Sequence, residues 1–198
     1  MAVIRIERLN GAGLLERLDD LARLRITVFH DWPYLYAGSL DYERQYLQRY
    51  AAASTGTIVV ALDGEQVVGA ATALALEEEA DYVQAPFLAA SIDLAPIFYF
   101  GESVLLKQYR GHGIGVEFFN QREAAARQFG KRYCCFCGVQ RPDNHPLKPA
   151  DYVPLDGFWG KRGYARRPDL VAGFSWTDIG ETTQSTKPMV YWMRDLAA

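Results

Sequence analysis

The chain has 198 residues, the length of one ordinary domain and enough to bury a full hydrophobic core, so we predict a single domain over 1–198. Basic and acidic residues nearly balance, which gives a formal net charge of −3 at pH 7. This balance excludes the strongly basic surface that is typical of nucleic-acid-binding proteins, and we expect no nucleic acid as a partner.

The sequence contains no run of about 18 apolar residues, so we expect no membrane association. Residues 1–8 carry charges where a secretory signal has its apolar core. The three cysteines, Cys134, Cys135 and Cys137, lie close together and have no distant partner, which favours reduced thiols over a disulfide framework. These features together predict a cytoplasmic protein.

The first elements in chain order are a strand and two helices. A strand is predicted over Val3–Leu9. Leucines at helical spacing between Leu14 and Val28 predict the first helix, and tyrosines spaced four residues apart predict the second helix over 41–52.

Between these helices lies the segment Phe29–Gly38, "FHDWPYLYAG". Pro33 forbids a continuous helix here, and Trp32, Tyr34 and Tyr36 crowd a short loop. Two interpretations stay open: a packed loop, or an aromatic wall that binds a small acceptor.

A hairpin and a central strand follow. Two β-rich segments, 57–62 and 66–76, flank the turn Asp63-Gly64-Glu65. After a short helical or irregular piece at 84–92, the nearly apolar segment 97–106 predicts a buried central strand. Glu102 is a lone charge inside that strand and requires an explanation.

The second half of the chain continues with alternating elements. Apolar residues at helical spacing predict a helix from Ile114 to Phe129 that Gly130 ends. The remaining predictions are a strand at 132–139, a proline-rich loop at 141–157, a short helix at 158–162, a strand after Gly163-Tyr164, a hydroxyl-rich loop at 175–188 and a last strand at 188–196.

The segment 108–115, "QYRGHGIG", lies between the central strand and the following helix. A strand-to-helix turn directs free backbone N–H groups and the positive end of the helix dipole at one point, which favours binding of an anion. Glycines allow a phosphate to approach the backbone, and Arg110 can donate two hydrogen bonds to it. The Gly-Lys-Ser/Thr ending of nucleotide loops and the G-x-G-x-x-G dinucleotide fingerprint do not fit.

The pattern Arg-x-x-Gly-x-Gly, formed by Arg110, Gly113 and Gly115, resembles the pyrophosphate loop of the GCN5-related N-acetyltransferase (GNAT) family. The order of elements resembles that family over most of the chain, whereas the sharp motif covers only 103–119. The resemblance implies an α/β (α+β) fold in which helices flank a mixed, twisted central β-sheet.

The resemblance also implies a cosubstrate and an activity. The backbone of Val104 and Leu105 would hold the pantetheine arm and acetyl carbonyl of acetyl-CoA. The N–H groups that would hold its pyrophosphate belong to Arg110, Gly111, His112, Gly113, Ile114 and Gly115. The implied enzyme is an acetyltransferase in which the amine of a small molecule or peptide attacks directly in a ternary complex. No metal is expected, and a homodimer is consistent with the sequence.

Candidate catalytic residues follow from the same resemblance. Several family members have a carboxylate at the end of the central strand, which makes Glu102 a candidate general base; a structural ion pair is the equally weighted alternative. The family's proton-donating tyrosine corresponds to Trp159, whose indole cannot release a proton at neutral pH. Tyr152, Tyr164 or water could replace it. A non-catalytic acyl-CoA-binding module is the alternative function.

Two further patterns have competing interpretations. Cys134 and Cys137 have zinc-like spacing, but residues three apart on a strand point to opposite faces, which favours packing beneath the cofactor over a metal site. Asp178 and Glu181 could hold a cationic amine, or could belong to a solvated loop.

Overall fold

The computed structural model describes residues 4–9 and 11–197, so Val3 of the predicted first strand lies outside the described residues. The strands are β1 (Arg5–Leu9), β2 (Thr57–Asp63), β3 (Gln66–Ala75), β4 (Ile97–Leu105), β5 (Tyr133–Val139), β6 (Ala165–Trp176) and β7 (Ser185–Asp195). The helices are α1 (Gly11–Glu16), α2 (Leu18–Phe29), α3 (Leu40–Ala52), α4 (Asp81–Ala89), α5 (Ile114–Gln128) and α6 (Asp156–Lys161).

The strands form one sheet in the order β1-β2-β3-β4-β5-β7-β6. Neighbouring strands are antiparallel, except that β4 and β5 are parallel. Helices cover both faces of the sheet, which explains why β2 is buried along nearly its whole length. The predicted mixed sheet flanked by helices is confirmed.

Alternating side chains of the sheet pack against different helices. Ile58, Val60 and Leu62 of β2 pack with α1, α2 and α3, whereas Val59 and Ala61 pack with α5. Helix α4 covers the first face next to β4 and β7, and α6 joins α5 on the second face. We call these the α2 face and the α5 face.

The central strands separate within the sheet. β4 pairs with β5 only over Ile97–Tyr99, although β4 continues to Leu105. On its other side β4 has a β-bulge, because Gly101 and Glu102 together lie opposite Thr72 of β3. The separation and the bulge together open the centre of the sheet.

Two predicted elements differ from the structure. The helix predicted from Leu14 to Val28 is interrupted at Arg17 and forms α1 and α2. The segment 175–188 is a loop only over 177–184, because residues 175–176 end β6 and residues 185–188 begin β7, where Ser175 pairs with Thr186 and the two hydroxyls lie 2.8 Å apart. Cross-strand hydroxyl pairs stabilise a hairpin, so the hydroxyl content did not indicate a loop at the two ends of this segment.

No helix within the described residues combines the length and the apolar character that a membrane crossing requires.

Candidate active site

Residues 108–115, which we call the glycine loop, join β4 to α5. The connection begins with a short 3-10 helix at Lys107–Tyr109. Gly111 and Gly113 have φ values of 81° and 82°, a backbone conformation that glycine adopts without steric cost. The next residue, Ile114, is buried and anchors the start of α5 in the core. The sequence therefore places its glycines where the turn requires them.

The start of α5 presents free hydrogen-bond donors. Its first intrahelical bond runs from the N–H of Glu117 to the carbonyl of Gly113, so the N–H groups of residues 114–116 have no acceptor within the helix. The Arg110 side chain is exposed and its Nε donates to the Leu105 carbonyl at 3.1 Å. His112 is also exposed, with Nδ1 3.3 Å from the Tyr109 carbonyl. This arrangement fits a phosphate group at the start of α5.

The strand edge beside this loop is available for a ligand. Val104 is fully buried, and Leu105 pairs with Gly69 of β3. On the opposite edge, the described part of β5 pairs with β4 only up to Tyr99. The backbone groups of β4 beyond the bulge can therefore bind an extended chain as a neighbouring strand would.

A cavity of about 450 Å³ lies on the α2 face next to the bulge. Its walls are largely aromatic, and Tyr34 and Tyr36 of the predicted acceptor wall belong to them. Trp32 does not line this cavity; its ring packs 5.0 Å from His145 and 5.9 Å from Tyr152. The other aromatic lining residues are Phe29, Tyr42, Tyr46, Tyr82, Tyr99, Phe174 and Trp176.

The loop that contains Tyr34 is held in place by Arg141. The guanidinium donates to the carbonyls of Pro33 and Tyr34 at 2.8 and 2.7 Å, and it pairs with Asp178. Trp176 Nε1 also donates to the Tyr34 carbonyl, at 3.0 Å. Tyr34 is thus fixed by residues that lie more than a hundred positions away in the chain.

Asp178 is already paired with two cations. Arg141 and Lys187 lie 2.6 and 3.0 Å from its carboxylate. Burial acts to raise the pKa of Asp178, but the hydrogen bonds from Arg141 and Lys187 outweigh it and lower the pKa below 3.8. The sequence makes Asp178 and Glu181 candidates for binding an amine. For Asp178 this interpretation is wrong, because Arg141 and Lys187 compensate its charge within the protein. Glu181 is exposed.

Glu102 belongs to a buried ionic cluster at the base of the cavity. Arg25 of α2 lies between Glu43 of α3 and Glu102 of β4, and it pairs with both. Glu102 Oε2 also accepts from Tyr46 at 2.7 Å and from Thr72 at 2.9 Å. Burial opposes the charge on Arg25, but Glu102 and its other neighbours outweigh burial and hold the pKa of Arg25 well above its usual range. These contacts explain how one strand keeps a buried carboxylate.

Tyr152 and Tyr164 are the candidate proton donors, and Trp159 corresponds to the family's tyrosine; all three lie away from the cavity. Tyr164 is 3% exposed on the α5 face, and its hydroxyl donates to Glu123 at 3.1 Å. Burial raises the pKa of Tyr164 further. Trp159 is half-buried and packs against the core on the α5 face, 5.2 Å from Trp192. Tyr152 is half-buried against Trp32. The structure brings none of the three into the lining of the cavity.

The cysteines alternate across β5 as a regular strand requires. Cys134 packs on the α5 face, whereas Cys135 and Cys137 pack on the α2 face. Cys137 lines the cavity, its Sγ lies 3.3 Å from the Tyr99 hydroxyl, and burial raises the pKa of this thiol to about 12. Within residues 4–9 and 11–197, His, Cys, Asp and Glu form no group of three that could hold a metal ion.

Arg122 is buried, although a charged residue on an amphipathic helix is normally assigned to the solvent side. The side chain is 1% exposed on α5 and donates to the carbonyls of Glu102 at 3.0 Å and Thr72 at 3.4 Å, across the bulge. Its guanidinium lies 4.2 Å from the centre of the Phe100 ring. A signal existed in the sequence, since Arg122 follows the buried Phe118 by one helical turn.

Arg25 and Glu43 were also missed by sequence reasoning. Both lie on helices whose other charged residues face solvent, and a charge on an amphipathic helix is normally assigned to the exposed face. Their pairing depends on α2 and α3 packing side by side over Glu102, which no local pattern contains.

Comparisons with known proteins agree with this geometry. A family model described as "Acetyltransferase (GNAT) family" matches residues 24–149, more than half of the chain. No curated protein matches the sequence at a significant level.

Several solved structures share the fold. A candidate acetyltransferase from Acinetobacter baylyi ADP1 aligns with a TM-score of 0.66 at 12% identity, over 100% of this chain and 94% of that chain. A ribosomal-protein-alanine N-acetyltransferase from Brucella melitensis aligns with a TM-score of 0.62 at 14% identity, over 97% and 99%. The PaiA N-acetyltransferase from Thermoplasma acidophilum in complex with coenzyme A aligns with a TM-score of 0.58 at 13% identity, over 98% and 99%. At these identities the likeness concerns the fold alone.

Proposed function

The chain belongs to the acetyltransferase (GNAT) family, and on this basis we propose that it is an acetyl-CoA-dependent N-acetyltransferase acting on the amine of a small molecule or peptide. The observation that carries the proposal is a juxtaposition at the bulge of Gly101 and Glu102. On one side lie the open edge of β4 and the glycine loop, and on the other lies the aromatic cavity. Two reactants can therefore meet at one point.

The cosubstrate half of the site would bind acetyl-CoA along the open edge of β4. The N–H groups from Arg110 to Gly115 would hold the pyrophosphate at the start of α5, where the helix dipole adds about 0.3 to 2 kcal/mol. Backbone groups of Val104 and Leu105 would hold the pantetheine arm, and an N–H of this edge would stabilise the oxyanion that forms at the acetyl carbonyl.

The acceptor must lose a proton before it can attack. A lysine-like amine with a pKa near 10.4 is only about 0.04% unprotonated at pH 7, so a general base can contribute about 10² to 10⁴ in rate. We propose that Glu102 accepts this proton, directly or through water. The free amine then forms a C–N bond with the acetyl carbon, the C–S bond breaks, the nitrogen gives up its second proton to water, and the CoA thiolate takes up a proton.

The proton for the thiolate has two proposed sources. The Tyr164 hydroxyl is bonded to Glu123 inside the core and is unsuited to this role. Tyr152 is the remaining side-chain candidate, and water is the alternative. We also propose a reducing compartment, the cytoplasm, because Cys134, Cys135 and Cys137 are all free thiols. The homodimer stays a prediction that light scattering during gel filtration checks.

The cosubstrate assignment is tested with Gly113→Asp. A side chain at this positive-φ position and a negative charge beside the pyrophosphate should weaken acetyl-CoA binding about 100-fold or more in calorimetry, which is about 2.7 kcal/mol. Gly130→Asp is the matched control, because Gly130 also has a positive φ and open space around it but lies at the other end of α5. Equal affinity in the two variants would contradict the assignment.

The activity is tested by measuring thiol release from acetyl-CoA with a panel of amines. Thiol release that requires an amine supports the proposed acetyl transfer. Tight binding of acetyl-CoA without release for any amine would instead favour the alternative, a non-catalytic acyl-CoA-binding module.

A further inference from the structure

The base of the cavity carries one more negative charge than positive charge. Among the lining residues the charged ones are Arg25, Glu43 and Glu102, so one guanidinium faces two carboxylates. Glu43 is 0% exposed, and its carboxylate is bonded to Arg25 and to the neutral Tyr36 hydroxyl. Neutral hydroxyls do not cancel the second negative charge of the two carboxylates, and a cationic ligand would compensate it.

Two other cations near the cavity are already paired. Lys187 lies 4.9 Å from the centre of the Trp176 ring, but its ammonium is bonded to Asp178 and to the Trp176 carbonyl. Arg141 is held by Asp178 as well. Neither residue belongs to the lining. Arg122 interacts with Glu102 from the opposite face of the sheet, where its donors are bonded to backbone carbonyls and Ser103, and it does not line the cavity either.

The walls of the cavity are suited to a cation with an apolar body. The faces of tyrosine and tryptophan rings attract cations, and their edges pack against apolar groups. Tyr82 and Phe174 meet at 4.9 Å in an edge-to-face pair, and Tyr34 lies 6.1 Å from Trp176. Burial raises the pKa values of Tyr34 and Tyr82, so these walls carry no negative charge at neutral pH.

On top of the acetyltransferase activity proposed above, we propose that the acceptor is an arylalkylamine-type primary amine, whose ammonium is its only charge. The ammonium lies between the aromatic walls and Glu102, with the carboxylate of the buried Glu43 behind it, beside the bulge where the open edge of β4 begins. The aromatic or apolar body lies against Tyr34 and Trp176. An amine that also carries a carboxylate is disfavoured, because that group would enter a site with excess negative charge.

The inference is tested on the unmodified protein with three amines that share one body. 2-Phenylethylamine carries only the ammonium, phenylalanine adds a carboxylate, and phenylalaninamide adds an uncharged group of similar size. We expect kcat/KM for 2-phenylethylamine to exceed that for phenylalanine about 100-fold, with phenylalaninamide in between. Equal or better use of phenylalanine would overturn the inference while leaving the transferase intact, as would thiol release with other amines but with none of these three.

A substitution of Glu43 tests whether the carboxylates cause the preference for 2-phenylethylamine over phenylalanine. Glu43→Gln should lower the preference for 2-phenylethylamine over phenylalanine about tenfold or more, with the affinity for acetyl-CoA unchanged. Glu79→Gln is the matched control, since Glu79 is a buried carboxylate bonded to Tyr50 that does not line the cavity. An unchanged preference in a folded Glu43→Gln protein would overturn the assignment of the cation to this site.

Binding without transfer separates this inference from the proposed activity. Trimethyl(2-phenylethyl)ammonium has no N–H to replace, but it keeps the charge and the ring. We expect it to bind in calorimetry in the presence of CoA and to compete with 2-phenylethylamine, whereas 2-phenylethanol should not bind measurably. If no amine releases thiol, the proposed activity fails; if the quaternary amine also does not bind, this inference fails on its own evidence.

Discussion

Glu102 is the only charged residue of β4, and its contacts combine two roles that the sequence presents as alternatives. Its Oε1 pairs with Arg25, as a structural ion pair would. Its side chain also lines the cavity beside the bulge, where a general base would have to lie. The two roles are compatible, because the ion pair fixes the carboxylate beside the bulge while the side chain still lines the cavity.

We predict that Glu102→Gln lowers turnover about 10² to 10⁴-fold at neutral pH, because the amide cannot accept the proton. The acidic limb of the rate profile should then move to higher pH, since only amine deprotonated in solution can react. Affinity for acetyl-CoA should change little. Kinetics from pH 5.5 to 10 and calorimetry provide the measurement, with Glu79→Gln as the control; an unaltered rate would remove Glu102 as the base.

Arg122 acts from the opposite face of the sheet. It has no carboxylate partner of its own at the bulge; there its donors are bonded to the carbonyls of Thr72 and Glu102 and to the Ser103 hydroxyl. Burial lowers the pKa of Arg122 to about 10, which still leaves the group cationic at neutral pH. We interpret Arg122 as a positioning residue that holds the bulge in shape.

We predict that Arg122→Met lowers kcat about tenfold or more while the affinity for acetyl-CoA changes less than about threefold. Each carbonyl that loses its donor costs about 1 to 3 kcal/mol, and the bulge can relax to avoid that cost. Arg122→Lys should restore part of kcat. A loss of stability without any change in kcat, measured by denaturant unfolding and steady-state kinetics, would argue for a purely structural role.

At the scale of elements, the wall of the cavity depends on one clamp. The segment 34–37 pairs with 177–179 across the β6–β7 turn, and Arg141 joins the two through Asp178. The proline-rich loop that supplies Arg141 therefore has a structural function. Because these contacts bridge distant segments, they order a loop that its own sequence leaves without regular structure.

We predict that Asp178→Asn lowers the free energy of unfolding by about 3 kcal/mol at pH 7, because two buried cations lose their partner. The folded pKa of Asp178 lies below its ordinary 3.8, so the carboxylate stabilises the fold above that pH and the contribution is lost as the pH falls through the folded pKa. The difference between the two proteins should therefore shrink below about pH 3.8 in denaturant titrations.

Asp169→Asn is the matched control for this clamp. Asp169 pairs with Arg167 in an exposed position, and such pairs contribute less than about 1 kcal/mol. A cost at Asp178 no larger than the cost at Asp169 would contradict the clamp.

At the scale of the whole molecule, one sheet supports both halves of the site. β4 supplies the edge beside the glycine loop and the floor of the cavity, and helices on both faces pack against it. We therefore propose that 1–198 unfolds as a single unit, as the sequence predicts.

We predict that acetyl-CoA at about 100 times its dissociation constant stabilises the protein by about 2.7 kcal/mol in one cooperative transition. The measurement is thermal unfolding with and without acetyl-CoA, and Gly113→Asp should be stabilised by no more than about 0.4 kcal/mol at the same concentration. Two transitions, of which only one moves with acetyl-CoA, would contradict the single unit.

The local patterns of the sequence predicted most of the fold. The apolar run of β4, the glycines at positions 111 and 113, and the helical spacing after them all correspond to the structure. The family resemblance that rests on them is confirmed. The predictions made from these features are correct because neighbouring residues in the sequence determine strand burial and positive-φ turns.

Only the tertiary structure determines which charged residues are buried and how they are paired. Arg25, Glu43 and Arg122 lie on helices, where a local pattern assigns charges to the solvent side. In the sequence Asp178 resembles an amine-binding residue, but in the structure it pairs with Arg141 and Lys187. The physical reason is that a buried charge is stable only when its partners come from other elements, and those partners are distant in sequence. The sequence by itself determined the fold and the glycine turn at the start of α5, whereas packing determined which charges remain for a substrate.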